Sequence, residues 1–462
     1  MLRPFQINLE LEKEGKKGPL YKLLEEKIKT LIQNGTLKPG DALPSSRELA
    51  EQVKISRKTV VNAMESLVIS GWLVNRERVG LFVSDSIPGE KKAVVPEVKF
   101  DPRRWLEIDD GLPDTSIAPV AELSRAYRQI FNRVSKWKIL EVSDPRGFRK
   151  FRESISSMLN HERGLQTNYT DICVTRGSQM ALFLISNVVL NPGDTIVVEN
   201  PCYERAYETF QKAHLNVVQI AVDKDGLIVS ELEQVLESQQ IQAIYLTPRH
   251  HYPTMVPMST SRKERLMALA VKHRFYVIED DYDYDFSQHG VKEKPMAASL
   301  PKENSLYIGT FSKVLSPSIR IGFLAAPETL IDQIGEYRRL IDLQGDNVME
   351  QAVLDLMLSG DLKKHIKKSS IYYEEKKSLF VKVLRLRLGQ RIEVVPPKGG
   401  LALWVSFHTQ KSKEEIQRFL IEKRIKVHVV EDAYGHLGIR IGYATLTEDN
   451  INHLADVLRM IL

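Results

Sequence analysis

Several groups that could take part in chemistry lie where predicted strands end. Asp280 ends the segment YVIED, and Lys313 follows the segment SLYI within GTFSK. Arg320 comes seven residues after that lysine. Gly177 and Ser178 lie between the segment ICVT and a helix predicted to begin near residue 180. A lysine can attack an aldehyde, a carboxylate can hold a protonated nitrogen, and a helix N-terminus with an arginine can bind a phosphate.

Each of these residues also has a plain structural explanation. Lys313 is compatible with a surface lysine, Asp280 with a turn cap and Arg320 with one half of an ion pair. As a set, however, they supply what pyridoxal phosphate requires: an amine for a Schiff base, a carboxylate for the pyridine nitrogen, and a cation with a helix terminus for the phosphate. The set therefore predicts a pyridoxal phosphate site, in which partial desolvation lowers the pKa of the lysine.

The elements that must position these residues alternate between short β-branched segments and longer helical stretches. This alternation predicts an α/β domain with a mostly parallel sheet and functional loops at the strand ends. The predicted strands are Ile172–Thr175, Thr195–Val198, Ala243–Leu246, Tyr276–Glu279, Ser305–Ile308 and Ile319–Leu324. After Gln344 the sequence becomes helical, and a small α+β lobe with the segments LALWVSF and GIRIGYA follows.

The first 83 residues predict a different kind of domain. Apolar residues at helical spacing follow Pro19, a second short helix follows a serine cap in the segment LPSSRELAEQV, and Ser56 caps a third helix. The segments WLV and LFV then flank the basic hairpin NRERVG. This order of elements indicates a winged helix-turn-helix, all-α with a small β wing, whose third helix can enter a major groove. The alternative is a three-helix packing module without a ligand.

Charge and composition agree with a soluble protein that has a basic head. The formal net charge is +5, and residues 1–83 contain 14 Lys/Arg and 10 Asp/Glu. The two cysteines, Cys173 and Cys202, provide neither a disulfide framework nor a multi-cysteine metal cluster, and no metal site is predicted. The N-terminus lacks the continuous apolar stretch of a signal peptide, and the apolar segment 180–190 is too short to span a bilayer. A cytoplasmic location is expected.

The domain organisation follows from these patterns. Residues 1–83 are the predicted winged helix domain, and residues 84–103, rich in Pro, Gly and charge, are the predicted linker. Residues 104–462 form the predicted cofactor-binding domain, of which 344–462 are the smaller C-terminal lobe.

The segment LKPGDALPSSRELAEQVKISRKTVVNAMESLVISGWL resembles the DNA-binding domain of the GntR family almost continuously. The resemblance implies binding to double-stranded DNA at a promoter or operator. It also implies a set of DNA-facing residues, on the second and third helices and on the wing. These are Arg47, Ser56, Arg57, Lys58, Thr59, Asn62, Arg76 and Arg78.

The remainder of the chain resembles fold-type I aminotransferases. The motifs are SDPRGFRKFRESISSMLNHERGL, VTRGSQMAL, ENPCYERA, YLTPRHHYPT, VIEDDYDYDF, GTFSKVLSPSIRIGF and GIRIGYA. Their order and spacing cover about residues 105–462. With the GntR-type head, the whole chain resembles the MocR-type regulators, the branch that includes GabR and fuses a winged helix to an aminotransferase-like domain.

The resemblance assigns roles to individual residues. Lys313 is the implied catalytic lysine of the internal aldimine, Asp280 the partner of the pyridine nitrogen, and Tyr282 a donor to the phenolic oxygen of the ring. Tyr203 would stack on the ring, and Arg440 would hold an effector carboxylate, with Arg205 for a second carboxylate. The residues implied to bind the phosphate are Gly177, Ser178, Gln179, Ser312 and Arg320.

Three segments depart from the aminotransferase pattern, and one of them, Val142-Ser143-Asp144, lacks the tyrosine or glycine often found there. Tyr252 occupies the position before proline where these enzymes commonly have an asparagine that bonds the ring oxygen. Met255 replaces the usual glycine after the threonine of the same segment. All three departures lie on motifs near the expected cofactor and make efficient turnover less expected, while the lysine chemistry stays intact.

The sequence thus predicts a pyridoxal phosphate-dependent transcriptional regulator. A small amine or amino acid effector would form an external aldimine in place of Lys313 and so change the conformation or the DNA binding of the protein. The alternatives are a genuine aminotransferase with a winged-helix appendage and a sensor of pyridoxal phosphate itself. Weak transaminase or half-reaction activity is compatible with the regulator. Because fold-type I sites are usually built from two subunits, the resemblance also implies a head-to-tail homodimer.

Overall fold

The computed structural model describes residues 19–76, 80–84, 104–132, 136–286 and 293–462. The chain divides into two compact units, Met1–Lys99 and Phe100–Leu462. The predicted linker lies outside the described residues apart from its first residue, Ser84.

The N-terminal unit consists of three helices followed by a two-stranded antiparallel hairpin. Its helices are α1 (Leu20–Gln33), α2 (Ser46–Gln52) and α3 (Arg57–Ile69), and its strands are β1 (Leu73–Arg76) and β2 (Gly80–Val83).

Local capping explains why α2 and α3 begin where they do. The Ser45 hydroxyl accepts a hydrogen bond from the Glu48 backbone N–H, and the Glu48 carboxylate accepts one from the Ser45 N–H. Ser56 caps α3 through the backbone N–H of Thr59 at 3.2 Å. Both caps satisfy N–H groups that the first helical turn leaves without a partner. The predicted order of three helices and a hairpin is therefore correct.

The core of this unit is formed by the apolar faces of the three helices and the hairpin. The fully buried side chains at its centre are Leu24, Ile28, Leu37, Leu49, Val60, Ala63, Leu67 and Val83.

The larger unit alternates strands and helices over most of its length. In chain order its strands are β3 (Leu106–Glu107), β4 (Ile172–Thr175), β5 (Thr195–Asn200), β6 (Asn216–Asp223), β7 (Gly226–Leu227), β8 (Ala243–Leu246), β9 (Tyr276–Asp280), β10 (Ser305–Thr310), β11 (Gly322–Ala325), β12 (Ile392–Val394), β13 (Ala402–Phe407), β14 (Ile425–Lys426), β15 (Val429–Glu431) and β16 (Leu437–Gly442). Its helices are α4 (Val120–Asn132), α5 (Arg149–Met158), α6 (Ser178–Leu184), α7 (Glu204–Lys212), α8 (Val229–Ser238), α9 (Thr260–His273), α10 (Glu328–Asp342), α11 (Asn347–Leu358), α12 (Asp361–Leu388), α13 (Lys413–Glu422) and α14 (Glu448–Ile461).

Eight strands form the main sheet, in the order β4-β11-β10-β9-β8-β5-β6-β7. The pairs from β10 through β9, β8 and β5 to β6 are parallel, whereas β11 is antiparallel to both β10 and β4. Alternate residues of β5 pack on opposite faces: Ile196 and Val198 join one apolar cluster, and Val197 joins another. Because helices cover both faces, the central strands are apolar on both sides. The predicted α/β class with a mostly parallel sheet is confirmed.

One predicted strand begins in the wrong place. The sequence favours a strand over Ile319–Leu324, but β11 starts at Gly322, and Pro317–Ile319 form a 3-10 turn. Arg320 between them has φ 52°, a left-handed conformation that no strand contains. The β-branched pattern therefore hid a sharp turn, which sets the direction of the arginine side chain.

The smaller lobe has a four-stranded antiparallel sheet of order β12-β13-β16-β15, which contacts α12 and α13, and α14 packs on these two helices. The short strand β3 pairs with β14, so that residues 106 and 107 extend toward this lobe. Within the described ranges no helix is long and apolar enough to cross a membrane.

Candidate functional site

The centre of the candidate site is the carboxylate of Asp280 at the end of β9. One oxygen, Oδ2, accepts a hydrogen bond from the Tyr245 hydroxyl of β8 at 3.1 Å. The other, Oδ1, is buried without a hydrogen-bond partner among the described residues. Burial raises the pKa of Asp280 to about 7, against the opposing effects of the Tyr245 hydroxyl and the positive charge of Lys313. A buried carboxylate with a free oxygen is suited to a protonated nitrogen.

Lys313 follows β10, which is the neighbour of β9 in the sheet. Its ammonium Nζ donates a hydrogen bond to the backbone carbonyl of Gly111 at 2.7 Å. Burial lowers the pKa of this lysine, and the negative charge of Asp110 works in the opposite direction. A lowered pKa increases the fraction of neutral amine, which is the form that attacks an aldehyde.

The N-terminus of α6 lies beside Arg320. Gly177 caps the helix with φ 78°, and the helix begins at Ser178, two residues before the predicted start. A Cβ on Gly177 would lie 2.9 Å from the Arg320 guanidinium and would force it to shift, and the positive φ by itself favours glycine here. Arg320 donates to the Arg176 carbonyl at 2.7 Å and is otherwise exposed. This arrangement offers backbone N–H groups and a cation on one side of the pocket.

Two more predicted phosphate residues have unsatisfied polar atoms. The Ser312 hydroxyl is buried without a partner in the described part of the chain, and so is the Oε1 atom of Gln179. Gln179 donates through Nε2 to Thr209 at 2.7 Å. Unpaired buried polar atoms are rare in folded proteins, and they are the atoms that a bound polar ligand would satisfy.

These observations fit pyridoxal phosphate. The free oxygen of Asp280, the desolvated amine of Lys313 and the free hydroxyl of Ser312 match its ring nitrogen, its aldehyde and its phosphate.

Two tyrosines form a wall of the pocket. The rings of Tyr203 and Tyr252 pack edge to face, with 5.1 Å between their centroids. Tyr203 is the residue before α7, and burial raises its pKa to about 12. Arg205, the second residue of α7, is exposed, and its charge lowers the pKa of Tyr203. Tyr203 thus lies where an aromatic ring could contact it, and Arg205 lies where it could contact a charge of the ligand.

Tyr282 is placed differently from its predicted role. Its hydroxyl donates to the backbone carbonyl of His250 at 2.8 Å and accepts from the Arg440 guanidinium at 3.3 Å. A phenol has a single proton to donate. The predicted donation to a ring oxygen therefore requires this hydroxyl to exchange the His250 carbonyl for the ligand.

Arg440 lies in β16 and is 6% exposed. Its Nε donates to the Asp110 carbonyl at 2.9 Å, and its Nη1 donates to the Pro253 carbonyl at 3.1 Å and to Met255 Sδ at 2.8 Å. The guanidinium also stacks over the Tyr252 ring, 4.7 Å from its centroid. Two of the departures from the aminotransferase pattern, Tyr252 and Met255, thus contact this arginine.

Met255 has φ 62°, which explains why a glycine is usual at this position. Sequence reasoning identified the departure but not its contact with the arginine. It also missed Tyr245, Asp110 and Gly111, which hold the site through contacts between distant segments. The acidic pair in IDDGLPD was the one available signal for Asp110.

In the N-terminal unit, α3 presents polar and basic side chains at its start. The exposed residues are Arg47 on α2 and Ser56, Arg57, Lys58 and Asn62 at and along α3, with Thr59 partly buried. Arg57 also donates to the Ser46 hydroxyl at 3.3 Å, which ties α3 to α2. Arg76 ends β1, and Arg78 lies outside the described residues.

Comparison with known proteins identifies both units. Residues 112–458 match the family aminotransferase class I and II, and residues 20–83 match bacterial regulatory proteins of the gntR family. The "uncharacterized HTH-type transcriptional regulator YhdI" of Bacillus subtilis is 26% identical over 454 residues, which cover 96% of this chain and 95% of that protein. The "probable rhizopine catabolism regulatory protein MocR" of Rhizobium meliloti is 25% identical over 422 residues, covering 86% of this chain and 83% of that protein.

A solved structure shows the same fold. The kynurenine aminotransferase of Pyrococcus horikoshii, crystallised with PMP, superposes with a TM-score of 0.71 at 26% identity, over 78% of this chain and 91% of that chain. The predicted resemblance to both families is confirmed, and the aminotransferase fold implies a pyridoxal phosphate cofactor. The chain belongs to the aminotransferase class I and II family, and its gntR-family head makes it a MocR-type transcriptional regulator.

Proposed function

We propose that this protein binds pyridoxal phosphate at Lys313 and regulates transcription in response to a small amine or amino acid. The observation that carries the proposal is the buried Oδ1 atom of Asp280, which lacks a partner in the described residues. An unpaired buried carboxylate oxygen is costly unless a ligand meets it. A protonated pyridine nitrogen meets it with a charge-assisted hydrogen bond.

When bound, pyridoxal phosphate supplies an aldehyde that bonds reversibly to primary amines. Lys313 is the amine that this chain provides, and its lowered pKa makes it a competent nucleophile and proton acceptor. Asp280 holds the ring nitrogen, and Tyr203 flanks the ring. Gly177, Ser178, Gln179, Ser312 and Arg320 are proposed to hold the phosphate.

An effector amine competes with Lys313 for the same aldehyde. Its carboxylate, where it has one, is proposed to bind Arg440, with Arg205 near the pocket mouth for a more distant charge. When Lys313 is released from the aldehyde, its hydrogen bond to the Gly111 carbonyl changes. This changes the support of the segment around Gly111, near the start of the larger unit. An effector changes DNA binding to the extent that it binds the two resulting arrangements with different affinity.

The DNA contacts are proposed for the start of α3 and for the hairpin. Arg57 and Lys58 lie exposed in the first turn of α3, the part of a recognition helix that reaches base edges and phosphates. Arg47, Ser56, Thr59, Asn62, Arg76 and Arg78 complete the proposed set.

Exposed apolar side chains support a homodimer of the larger unit. Val142, Leu340 and Leu343 are 82%, 84% and 65% exposed. Val142 lies close to Leu343, because the next residue, Ser143, donates its backbone N–H to the Gln344 side chain at 2.5 Å. Large exposed apolar residues that cluster mark association sites. The head-to-tail arrangement of the dimer stays a prediction.

The cofactor proposal is tested by absorbance spectroscopy of the full chain mixed with pyridoxal phosphate. We expect a band of lysine-bound cofactor that is lost in Lys313→Ala and kept in the control Lys426→Ala, whose lysine is exposed and pairs with Glu107. A protein that stays colourless in excess cofactor, or a band that survives in Lys313→Ala, would contradict it.

Regulation is tested by binding of a promoter fragment with and without an amine. We expect DNA binding at low salt, where phosphate contacts alone give measurable affinity, and a change in that affinity when the amine is added to the cofactor-loaded protein. If the affinity changes with cofactor alone and no amine alters it, the alternative of a pyridoxal phosphate sensor is favoured.

The aminotransferase alternative rests on Lys313, because a lysine with a lowered pKa can also move the proton that transamination requires. Many turnovers per minute with an amino donor and a keto acid would support it. Slow or single-turnover activity agrees with the regulator.

A further inference from the structure

A carboxylate that the predicted roles leave unused lies between the reactive lysine and the arginine. Asp110 is half-buried, and its Oδ2 accepts a hydrogen bond from the Tyr252 hydroxyl at 3.3 Å. Its backbone carbonyl accepts from Arg440 Nε at 2.9 Å, and the next carbonyl, that of Gly111, accepts from Lys313 Nζ at 2.7 Å. The backbone of Asp110 is therefore fixed from both sides, and its carboxylate has a defined place in the pocket.

The neighbouring acid has a different task. Asp109 accepts the backbone N–H groups of Gly111 and Leu112 at 2.7 Å each, and also binds the Thr445 hydroxyl. These bonds occupy three of its four lone-pair sites in shaping the turn. Asp110 has up to four lone-pair sites, and the Tyr252 hydroxyl occupies one of them. A partly accessible carboxylate with free acceptor capacity is suited to a cation.

The negative charge of Asp110 reaches the walls of the pocket. It is the largest charge effect that raises the pKa of Lys313, and it also raises the pKa of Tyr203 and Tyr252. A ligand that reacts at Lys313 thus enters the field of this carboxylate, in surroundings where burial keeps water from screening it fully.

Arg440, the residue predicted to hold a ligand carboxylate, is engaged by the protein. A guanidinium has five N–H donors. Four hydrogen bonds use four of these donors: to the carbonyls of Asp110 and Pro253, to Met255 Sδ, and to the Tyr282 hydroxyl. A carboxylate that binds Arg440 through two N–H groups must displace at least one of these bonds, whereas a cation meets Asp110 without displacing any. Beside the reacting amine, the protein thus leaves more unused acceptor sites on Asp110 than unused donors on Arg440.

We propose that Asp110 selects effectors that carry a second positive charge, of which the α,ω-diamines are the simplest class. This inference deepens the proposed function and rests on it. It specifies the sign of the charge at the end of the effector that is far from its reacting amine.

The test uses three amines of equal chain length that differ in the far group: 1,4-diaminobutane, 4-aminobutanoate and butylamine. Each is titrated into the cofactor-loaded full chain, and the dissociation constant is read from the change of the cofactor absorbance band. We expect the diamine to bind roughly tenfold more tightly than butylamine, a difference of about 1.4 kcal/mol, and 4-aminobutanoate to bind more weakly than the diamine.

Two variants separate the carboxylate from a general change of charge. In Asp110→Asn the ratio of butylamine to diamine dissociation constants is expected to fall toward one, because the amide keeps an acceptor for Tyr252 but loses the charge. The control is Glu107→Gln, because Glu107 is an exposed acid on β3 that pairs with Lys426. This variant loses the same charge, and its ratio is expected to stay as in the wild type. The ratio in the wild type should also fall as salt is added.

Several outcomes overturn the inference while cofactor binding stands. The three amines bind equally, the ratio of dissociation constants is unchanged in Asp110→Asn, or no amine shifts the band. Tighter binding of 4-aminobutanoate than of the diamine also overturns it, and would favour Arg440 as the selecting residue. Absence of the band itself before any amine is added contradicts the proposed function, and the inference with it.

Discussion

The half-satisfied carboxylate of Asp280, whose Oδ1 has no partner among the described residues, makes a quantitative prediction about the cofactor-free protein. Burial raises its pKa from 3.8 to about 7, so the folded state binds the proton more tightly than the unfolded state. The contribution of this group to stability is therefore most favourable below pH 4. It becomes less favourable as the pH rises through the folded-state pKa, and is constant above it. At 1.36 kcal/mol per pH unit, the difference between the unfolded-state and folded-state pKa values corresponds to about 4 kcal/mol of destabilisation at alkaline pH.

Replacing Asp280 with Asn removes this ionisation. Of the full effect, roughly 2 kcal/mol is already present at pH 5, which leaves about 2–3 kcal/mol to appear between pH 5 and pH 8.5. From pH 5 to pH 8.5, the wild type is therefore expected to lose that amount of unfolding free energy relative to Asp280→Asn. Urea denaturation of the cofactor-free full chain, followed by circular dichroism at several pH values, measures it.

Tyr245→Phe provides the opposite perturbation. The Tyr245 hydroxyl lowers the pKa of Asp280, and its removal raises that pKa further while the ring keeps its packing against Phe210. This variant should lose more stability than the wild type as the pH rises. A difference for Asp280→Asn that does not change with pH, or the same pH trend in both variants, would refute the assignment of a buried, ionisable and unpaired carboxylate. With saturating cofactor, the ring nitrogen supplies the missing partner, and the wild type should lose this pH dependence.

Three further predictions concern other parts of the chain. Gly177→Ala places a Cβ 2.9 Å from the Arg320 guanidinium at φ 78°; it should destabilise the protein by about 1 kcal/mol and raise the dissociation constant of the cofactor roughly tenfold, and unchanged cofactor titrations would contradict this. Arg57→Ala should make the slope of log K against log salt for a promoter fragment shallower by about 1, as measured by fluorescence anisotropy; an unchanged slope would exclude a phosphate contact. Ser45→Ala removes the capping box of α2 and should cost about 1 kcal/mol of local stability, seen as faster hydrogen exchange of the α2 amides in the full chain, and equal exchange would show that the cap is redundant.

The sequence was sufficient for much of the fold because strand patterns and capping residues act locally. The segments of β4 and β8 were predicted with their observed bounds, and the Ser56 cap was identified from its residue type and position. The start of β11 was not, because a left-handed residue at position 320 interrupts a β-branched segment that otherwise continues into the strand. A single backbone angle of this kind leaves no periodic signal.

The residues of the candidate site separate in the same way. Lys313 and Asp280 could be predicted because each follows a strand, and parallel neighbouring strands bring their carboxyl ends together. Tyr245 could not, since its pattern is that of an apolar strand residue and its hydroxyl acquires a role only when β8 lies beside β9.

Asp110 shows why motifs predict what a family shares more readily than what distinguishes one member. Along the sequence it is one of two adjacent acids ahead of a glycine, and turn formation explains both equally well. The distinction arises in three dimensions: Asp109 turns toward backbone amides, while Asp110 meets Tyr252, a residue 142 positions away. Tyr252 and Met255 are themselves departures from the aminotransferase pattern, and both contact Arg440. The departures are therefore coupled: both contact the arginine, and Tyr252 also donates to the Asp110 carboxylate. Under our proposal they change the charge that the site accepts without changing the residues proposed to hold the cofactor.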